Sequence, residues 1–477
     1  MSTYVTAVDF GSGKIAVAVG EKRDGRVHVV HYESAQATGI RYGEIFNDYQ
    51  VSRILNPMIR RAEQVIGETI SSAVVSISGK FIRTTDAEAR DKQKDPNRRI
   101  SMEDVKRMIA EQYTRAAGGD SILEVAPQSY NVDDQIGLSG SDLEGIRSSV
   151  LDGYFKLIIG KKQQLDKRRS VLSECSLSIR KAIFSPVASA RAVLTAQEMD
   201  NGVALVDIGK DLTEVVIVKE NVIRDAFVIP FAGESITNDI KNLTNFTATW
   251  AETTKLANGS CLEEKVPDGK MLELVGEEGN VEGSVDLLLL TRIIEARMSE
   301  ILDAVKYLID NSEYGTRIPA GVVITGGTAY LNHLPLLAGA ILGRKVRLAA
   351  PRSAIADDSV EAALDTVSST VVGLLLEFYE PRLSTTLNAA QRPEAPLSGG
   401  FRFSEPDRKK ADKVERVERV EKAEKFAAEP VAAEPAAAKP APEPKKEKPR
   451  KEKGNGLAGF NKFMGTLFGD SDAGDNV

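Results

Sequence analysis

Tyr4-Val-Thr-Ala-Val-Asp9-Phe-Gly11-Ser-Gly-Lys14-Ile-Ala-Val-Ala-Val19 reads as an apolar run, an Asp-Phe-Gly corner and a second β-branched run. The same grammar returns at Val203-Ala-Leu-Val-Asp207-Ile-Gly209, with a β-branched run at 215–218. Each stretch predicts a β-hairpin whose tip exposes backbone N–H groups and whose base carries an aspartate. One Asp-x-Gly at a strand end is an ordinary turn. Two of them predict a duplicated fold that clamps a phosphate–metal group between its halves. Successive backbone N–H groups make an anion nest, and paired carboxylates hold Mg²⁺ through its waters. A third signal, Val322-Val-Ile-Thr-Gly326-Gly327, is a buried strand running into a glycine pair. In this order, the three point to a nucleotide-binding protein.

Composition narrows the alternatives. A length of 477 residues allows two to four domains, and 42% hydrophobic residues can build a core. A net charge of −7 argues against a general nucleic-acid binder. Cys175 and Cys261 have no disulfide or metal spacing, and His28, His31 and His333 are too scattered for a metal site. The sequence opens straight into a strand pattern, so no signal peptide is expected. The apolar runs at 287–290 and 371–376 are too short to span a bilayer. An intracellular protein is expected.

Along the chain, 51–66 places Ile54, Leu55, Met58, Ile59, Ala62, Val65 and Ile66 at helical spacing, and 73–78 reads as a strand. From 83 to 99 the sequence turns charged. Ser101 and Asp104 then open a helix with a capping signature. Short strands are expected at 122–125, 130–132 and 153–159, giving a small inserted α/β subdomain over 83–165. A helix is expected at 186–196, a strand at 222–229, mainly helix over 236–315 with a polar excursion at 259–283, and a helix over 360–379. Residues 404–453 are built mainly from Lys, Glu, Arg, Ala and Pro with almost no aromatics, and cannot bury enough apolar surface to order. As a flexible coil, a linker of about 70 residues reaches roughly 45–50 Å.

These motifs resemble the actin/Hsp70/sugar-kinase ATPase superfamily. Asp9-Phe-Gly-Ser-Gly-Lys14 is similar to its first phosphate loop, Asp207-Ile-Gly-Lys-Asp-Leu-Thr213 to its second, and Val322-Val-Ile-Thr-Gly-Gly-Thr328 to its adenosine motif. Within the superfamily the chain most resembles the bacterial cell-division family FtsA. That likeness also rests on Ser185-Pro-Val-Ala-Ser-Ala-Arg-Ala-Val-Leu194 and Ile229-Pro-Phe-Ala-Gly-Glu-Ser-Ile-Thr-Asn-Asp-Ile240, and spans roughly residues 1–380. It implies a duplicated actin-like (ribonuclease-H-like) α/β ATPase fold. Subdomain 1A would be 1–82 and 166–197, inserted subdomain 1C 83–165, subdomain 2A 198–235 and 316–383, and subdomain 2B 236–315. A charged linker over 384–453 and an amphipathic helix over 454–469 complete the expected order.

The resemblance also implies a site for ATP and Mg²⁺. Asp9 and Asp207 would face the metal and its waters, with Asp207 orienting the attacking water. Gly11, Ser12, Gly13 and Lys14 would hold the β- and γ-phosphates, and Gly209 and Thr213 the opposing nest. Gly233 would border the ribose, Gly326, Gly327 and Thr328 the adenosine, and Glu252 with Lys255 the adenine. Glu252 and Lys255 read equally well as an exposed i,i+3 pair. Where the family has a small residue and a glycine in the second loop, this chain has Lys210, Asp211 and Leu212. Asp211 there is expected to add negative charge near the γ-phosphate, giving slow or negligible ATPase activity.

In the tail, Leu457, Phe460, Phe463, Met464, Leu467 and Phe468 share one helical face, just after a basic cluster at 445–453. Burying six apolar side chains gives at most roughly 10 kcal/mol before the helix is folded, so one helix would bind a membrane reversibly. A polymer displaying many would bind tightly. The resemblance implies self-assembly into filaments at the inner face of the membrane at the division site. It also implies capture of the C-terminal tail of the tubulin-like protein FtsZ, and contacts with other division proteins. Two rivals share the fold: a sugar or small-molecule kinase, which needs a substrate carboxylate motif, and an actin-like pilus-assembly adaptor. An Hsp70-type chaperone would need a β-rich domain after 383.

Overall fold

In the computed structural model, residues 4–92, 98–115, 119–276 and 279–385 are described. The valine-rich run before Asp9 forms β1 (Val5–Phe10), which turns through Gly11–Gly13 into β2 (Lys14–Arg23) and on to β3 (Arg26–Gln36). A two-residue ladder, β4 (Ile40–Arg41) and β5 (Glu44–Ile45), leads into α1 (Asp48–Ile66), capped by Asn47 and closed by left-handed Gly67. β6 (Ser72–Ile77) lies parallel to β1.

The chain then builds a separate antiparallel sheet from β7 (Arg83–Lys92), β8 (Asp120–Val132), β9 (Gln135–Leu138) and β10 (Val150–Lys161), ordered β7-β10-β8-β9. α2 (Met102–Gln112) starts on the Ser101/Asp104 capping box. This layer has its own core, including Val105, Met108, Val125, Leu151 and Phe155. β8 is continuous where two short strands were expected, and β7 occupies the charged stretch. An edge strand with alternating exposure tolerates that charge. α3 (Lys162–Glu174) returns to the first sheet, and β11 (Ser178–Phe184) completes it as β11-β6-β1-β2-β3.

α4 (Ser185–Val193) and α5 (Ala196–Asn201) lead to the second copy. β12 (Val203–Ile208), β13 (Thr213–Lys219) and β14 (Val222–Ile229) repeat the antiparallel meander. α6 (Gly233–Thr244) and α7 (Ala248–Asn258) follow. The polar excursion contains a hairpin, β15 (Met271–Val275) with β16 (Val281–Asp286), ahead of the long α8 (Leu287–Asn311). β17 (Val322–Thr325) lies parallel to β12, and after α9 (Leu334–Leu342), β18 (Val346–Leu348) ends a sheet ordered β14-β13-β12-β17-β18. Position for position, this matches β3-β2-β1-β6-β11, so the fold is a duplicated α/β unit. The helix expected from 360 begins at Ser369 as α10 (Ser369–Tyr379). Before it, Asp365 caps the Val367 N–H and the Ser368 hydroxyl binds the Ala363 carbonyl, holding 3₁₀ turns.

α4 and α10 cross between the two sheets. Their shared core takes Val5 and Ala7 from β1, Ala16 and Ala18 from β2, Val203 and Leu205 from β12, and Val216 and Val218 from β13. The opposite face of β1 and β2 packs Val8, Phe10 and Val17 against Leu55 and Met58 of α1. The folded contacts extend to Thr385. Ser384 and Thr385 bind the buried Glu124 of β8, while Glu377 of α10 accepts the backbone N–H groups of Arg382, Leu383 and Ser384.

Candidate functional site

Strand parity sets the site. Side chains alternate faces along a strand, so Asp9 continues the face of Val5 and Ala7, and Asp207 that of Val203 and Leu205. Lys14 shares its face with Ala16 and Ala18. The two hairpins therefore aim their acid and base groups into the cleft between the sheets. The cleft encloses about 800 Å³, lined by Asp9, Gly11, Ser12, Gly13, Lys14, Asp207, Gly209, Gly233, Glu252, Lys255, Gly326, Gly327 and Thr328. Thr213 stands apart: it is fully buried and donates its hydroxyl to the Phe231 carbonyl at 2.7 Å.

Burial pushes the Asp9 carboxyl above its ordinary range, opposed by a hydrogen bond from Ser76 and by the charges of Lys14 and Arg168. Burial also lifts Asp207 to about 6, with Asp9 adding to the rise and the Ser189 hydroxyl opposing it. That hydroxyl donates to Asp207 Oδ2 at 2.7 Å and lies 2.9 Å from the hydroxyl of Thr370, so α4 and α10 both brace the site's base. Two acids raised together in one cleft are suited to a cation. Among the described residues, no group of three or more His, Cys, Asp or Glu could hold a metal ion. Asp9 and Asp207 are the two strand-end carboxylates in the cleft that could face a divalent ion.

Glu214 is a third acid that sequence reasoning missed. It pairs across the strands with Asp207 and shares a face with Val216 and Val218, so the signal was a lone charge at a core-facing parity. It accepts a hydrogen bond from the Ser78 hydroxyl across the cleft. Burial, then Asp207, push it to about 8, with Asp9 adding to the rise. Both Asp207 and Glu214 are raised, so the fold keeps protons that the unfolded chain has released. The resulting penalty starts above the ordinary carboxylate range and is complete only past about 8. In EDTA, thermal scans should show stability falling from pH 5 to pH 8. Glu214→Gln should raise the melting temperature more at pH 8 than at pH 5; an equal gain at both would contradict this coupling.

Arg168 was also missed, because nothing in α3 marks it. It is fully buried and donates to the carbonyls of Ser76, Gln164 and Gly43, with burial lowering it to about 10 against the pull of Asp9. Lys14 donates to Tyr32 Oη at 2.9 Å and to the Val367 carbonyl, linking the first loop to the turn before α10.

On the other wall, Lys255 is buried, not exposed as an i,i+3 pair would be. Its ammonium binds the Gly233 carbonyl at 3.0 Å, Thr237 Oγ1 at 2.8 Å and Glu252 at 2.7 Å, fixing α7 on α6. Burial lowers its pKa, opposed first by Glu252. The Thr328 hydroxyl donates to the Gly209 carbonyl at 2.7 Å, and a Cβ on Gly233 would come within 2.5 Å of that hydroxyl oxygen. Gly326 has φ +96°, and a Cβ there would stand 2.4 Å from Asp207 Oδ1.

In the second loop, Asp211 lines the same cleft as residues 11–14 and also reaches the other half of the fold. Its Oδ2 accepts the Tyr42 N–H at 2.8 Å, from a turn of the first half of the fold. Lys210 lies 3.6 Å from Glu234. The expected tail helix, Leu457, Phe460, Phe463, Met464, Leu467 and Phe468, lies outside the described residues. No helix among the described residues is long and apolar enough to cross a membrane.

Comparison with known proteins extends this picture. The family described as "Cell division protein FtsA" matches residues 204–373. The chain is 28% identical to the cell division protein FtsA of Pseudomonas aeruginosa over 403 residues, covering 82% of this chain and 95% of that one. It is 28% identical to that of Neisseria meningitidis, covering 73% and 84%, and 27% identical to that of Escherichia coli K12, covering 83% and 96%. Among solved structures, a PilM–PilN type IV pilus biogenesis complex shares the fold with a TM-score of 0.56 at 14% identity, covering 79% of this chain and 99% of that one. With the duplicated actin-like fold, the paired loops and relatives matched over most of their length, the chain is similar to the cell division proteins named FtsA.

Proposed function

We propose that this chain is an ATP-binding, actin-like protein that polymerises and ties the FtsZ ring to the inner face of the membrane at the division site. The observation that carries the nucleotide part is the convergence of both Asp-x-Gly corners and the Gly326-Gly327 turn on one cleft of about 800 Å³. The N–H groups of the two hairpin tips suit a triphosphate. Asp9 and Asp207 are the residues that would hold Mg²⁺ through water, and Gly233, Gly326, Gly327 and Thr328 would border the nucleoside. Mg²⁺ would supply charge neutralisation between the phosphates and these acids. Hydrolysis is slow or negligible in this reading, and the nucleotide acts mainly as a structural ligand.

The division role is supported by the relatives, each named a cell division protein. We assign filament contacts to the inserted sheet, the FtsZ C-terminal tail to 236–315, and membrane docking to the apolar face at 457–468. Other division proteins are further partners, and nucleic acid is not one. Co-sedimentation with anionic vesicles tests the anchor. The full chain should pellet with lipid, more completely with Mg·ATP, while a chain lacking 454–477 should stay in the supernatant. Unchanged pelleting of the truncated chain would refute membrane docking through this segment.

A further inference from the structure

The turn at Tyr42-Gly43 is held from every side. Tyr42 has φ +49° and Gly43 φ +70°, two consecutive left-handed residues. Backbone N–H and C=O groups withdrawn from water need partners, and in this turn all four have a protein partner. The Gly43 N–H donates to Ser12 Oγ at 2.9 Å, and its carbonyl accepts from Arg168 at 3.0 Å. The Tyr42 carbonyl accepts from the Lys80 N–H at 3.2 Å. The fourth group, the Tyr42 N–H, reaches across the cleft to Asp211 at 2.8 Å. Beside it, Leu212 is buried, with its Cδ1 where a Cβ on Gly43 would approach to 3.0 Å. Lys210 Cβ stands similarly close, 3.3 Å, to a Cβ built on Gly13.

We propose that Asp211 and Leu212 are positioning residues forming a clasp on the Tyr42-Gly43 turn, which holds the two phosphate loops against each other and must open before nucleoside triphosphate leaves. The clasp rests on the nucleotide reading above and explains what replaces the small residue and glycine in the second loop. Asp211 acts as a hydrogen-bond acceptor, through Tyr42-Gly43, on Ser12 of the opposite tip.

Two measurements separate the clasp from the nucleotide reading. Hydrogen–deuterium exchange at 40–45, without nucleotide, reads the clasp itself: it should quicken in Asp211→Ala and stay near wild type in Asp211→Asn, which keeps an acceptor oxygen. Stopped-flow release of a fluorescent ATP analogue with Mg²⁺ reads its consequence. Asp211→Ala and Leu212→Ala should release it about five- to tenfold faster, the scale of one exposed charge-assisted hydrogen bond, and Asp211→Asn within about twofold of wild type. Wild-type exchange in Asp211→Ala, or release from Asp211→Asn as fast as from Asp211→Ala, would overturn the clasp. If wild type fails to bind the analogue while Asp211→Ala still loosens 40–45, the nucleotide reading falls and the clasp stands.

Discussion

Gly326→Ala is expected to weaken binding of Mg·ATP by about 100-fold or more while leaving a folded protein. At φ +96° an alanine is strained by about 1–3 kcal/mol. Its Cβ would also meet two fixed oxygens, Asp207 Oδ1 at 2.4 Å and the Ile208 carbonyl at 2.5 Å. Neither can retreat cheaply. Asp207 is held by Ser189, and Ile208 ends a strand flanked by β13 and β17. The relief is to push β12 and its aspartate away from the cleft, which removes one of the cleft's carboxylates from its place. The neighbouring glycine is the control. A Cβ on Gly327 meets only Val367 Cγ1, at 3.8 Å, so Gly327→Ala should leave the strand end in place and lose less affinity than Gly326→Ala. Equilibrium titration of a fluorescent ATP analogue, with circular dichroism to monitor folding, decides the matter. Equal affinities for the two variants would show that the strand end and the nucleotide are not coupled as described.

The largest expected effect on stability is at Gly373, where α10 crosses α4. A Cβ there would come 1.8 Å from the Ala188 carbonyl oxygen and 2.3 Å from its carbon. Both are backbone atoms, so trimming Ala188 to glycine relieves nothing. The helices must part, opening the core that joins the two sheets, at about 3 kcal/mol or more. Urea unfolding of Gly373→Ala should show a clearly lowered midpoint, and Ala188→Gly should fail to restore it. A midpoint equal to wild type would mean that the crossing is looser than its geometry indicates. Parting the helices also separates Ser189 from Thr370, so nucleotide affinity should fall in the same variant.

The parts of this architecture that were legible in the sequence are those written in neighbouring residues. The hairpins announced themselves because β1, β2, β12 and β13 are buried strands with nearly unbroken apolar runs, each first strand ending in Asp-x-Gly. The Ser101/Asp104 box marked the start of α2 for the same local reason. What stayed hidden depends on partners far along the chain. The bond that Asp211 accepts was hidden because its donor is an amide 169 positions away. The sequence left Lys255 open between the cleft and an exposed i,i+3 pair because two of its hydrogen-bond partners, Gly233 and Thr237, belong to another helix. β7 has the composition of a solvated segment, and only its place at a sheet edge makes it a strand. The start of α10 was read too early because the apolar residues before it are held in 3₁₀ turns by side-chain caps. Glu214 could have been found by applying to β13 the parity rule that placed Asp9 and Asp207.

The fastening of residues 382–385 has a mechanical meaning. Glu377 grips three successive backbone amides there, and Glu124 binds Ser384 and Thr385. A load applied to the chain at Thr385 therefore does not first peel a loose end. It divides between the end of α10, rooted in the helix crossing beneath the cleft, and the long strand β8 of the inserted sheet, so a tug at this point is felt at once by two distant parts of the molecule.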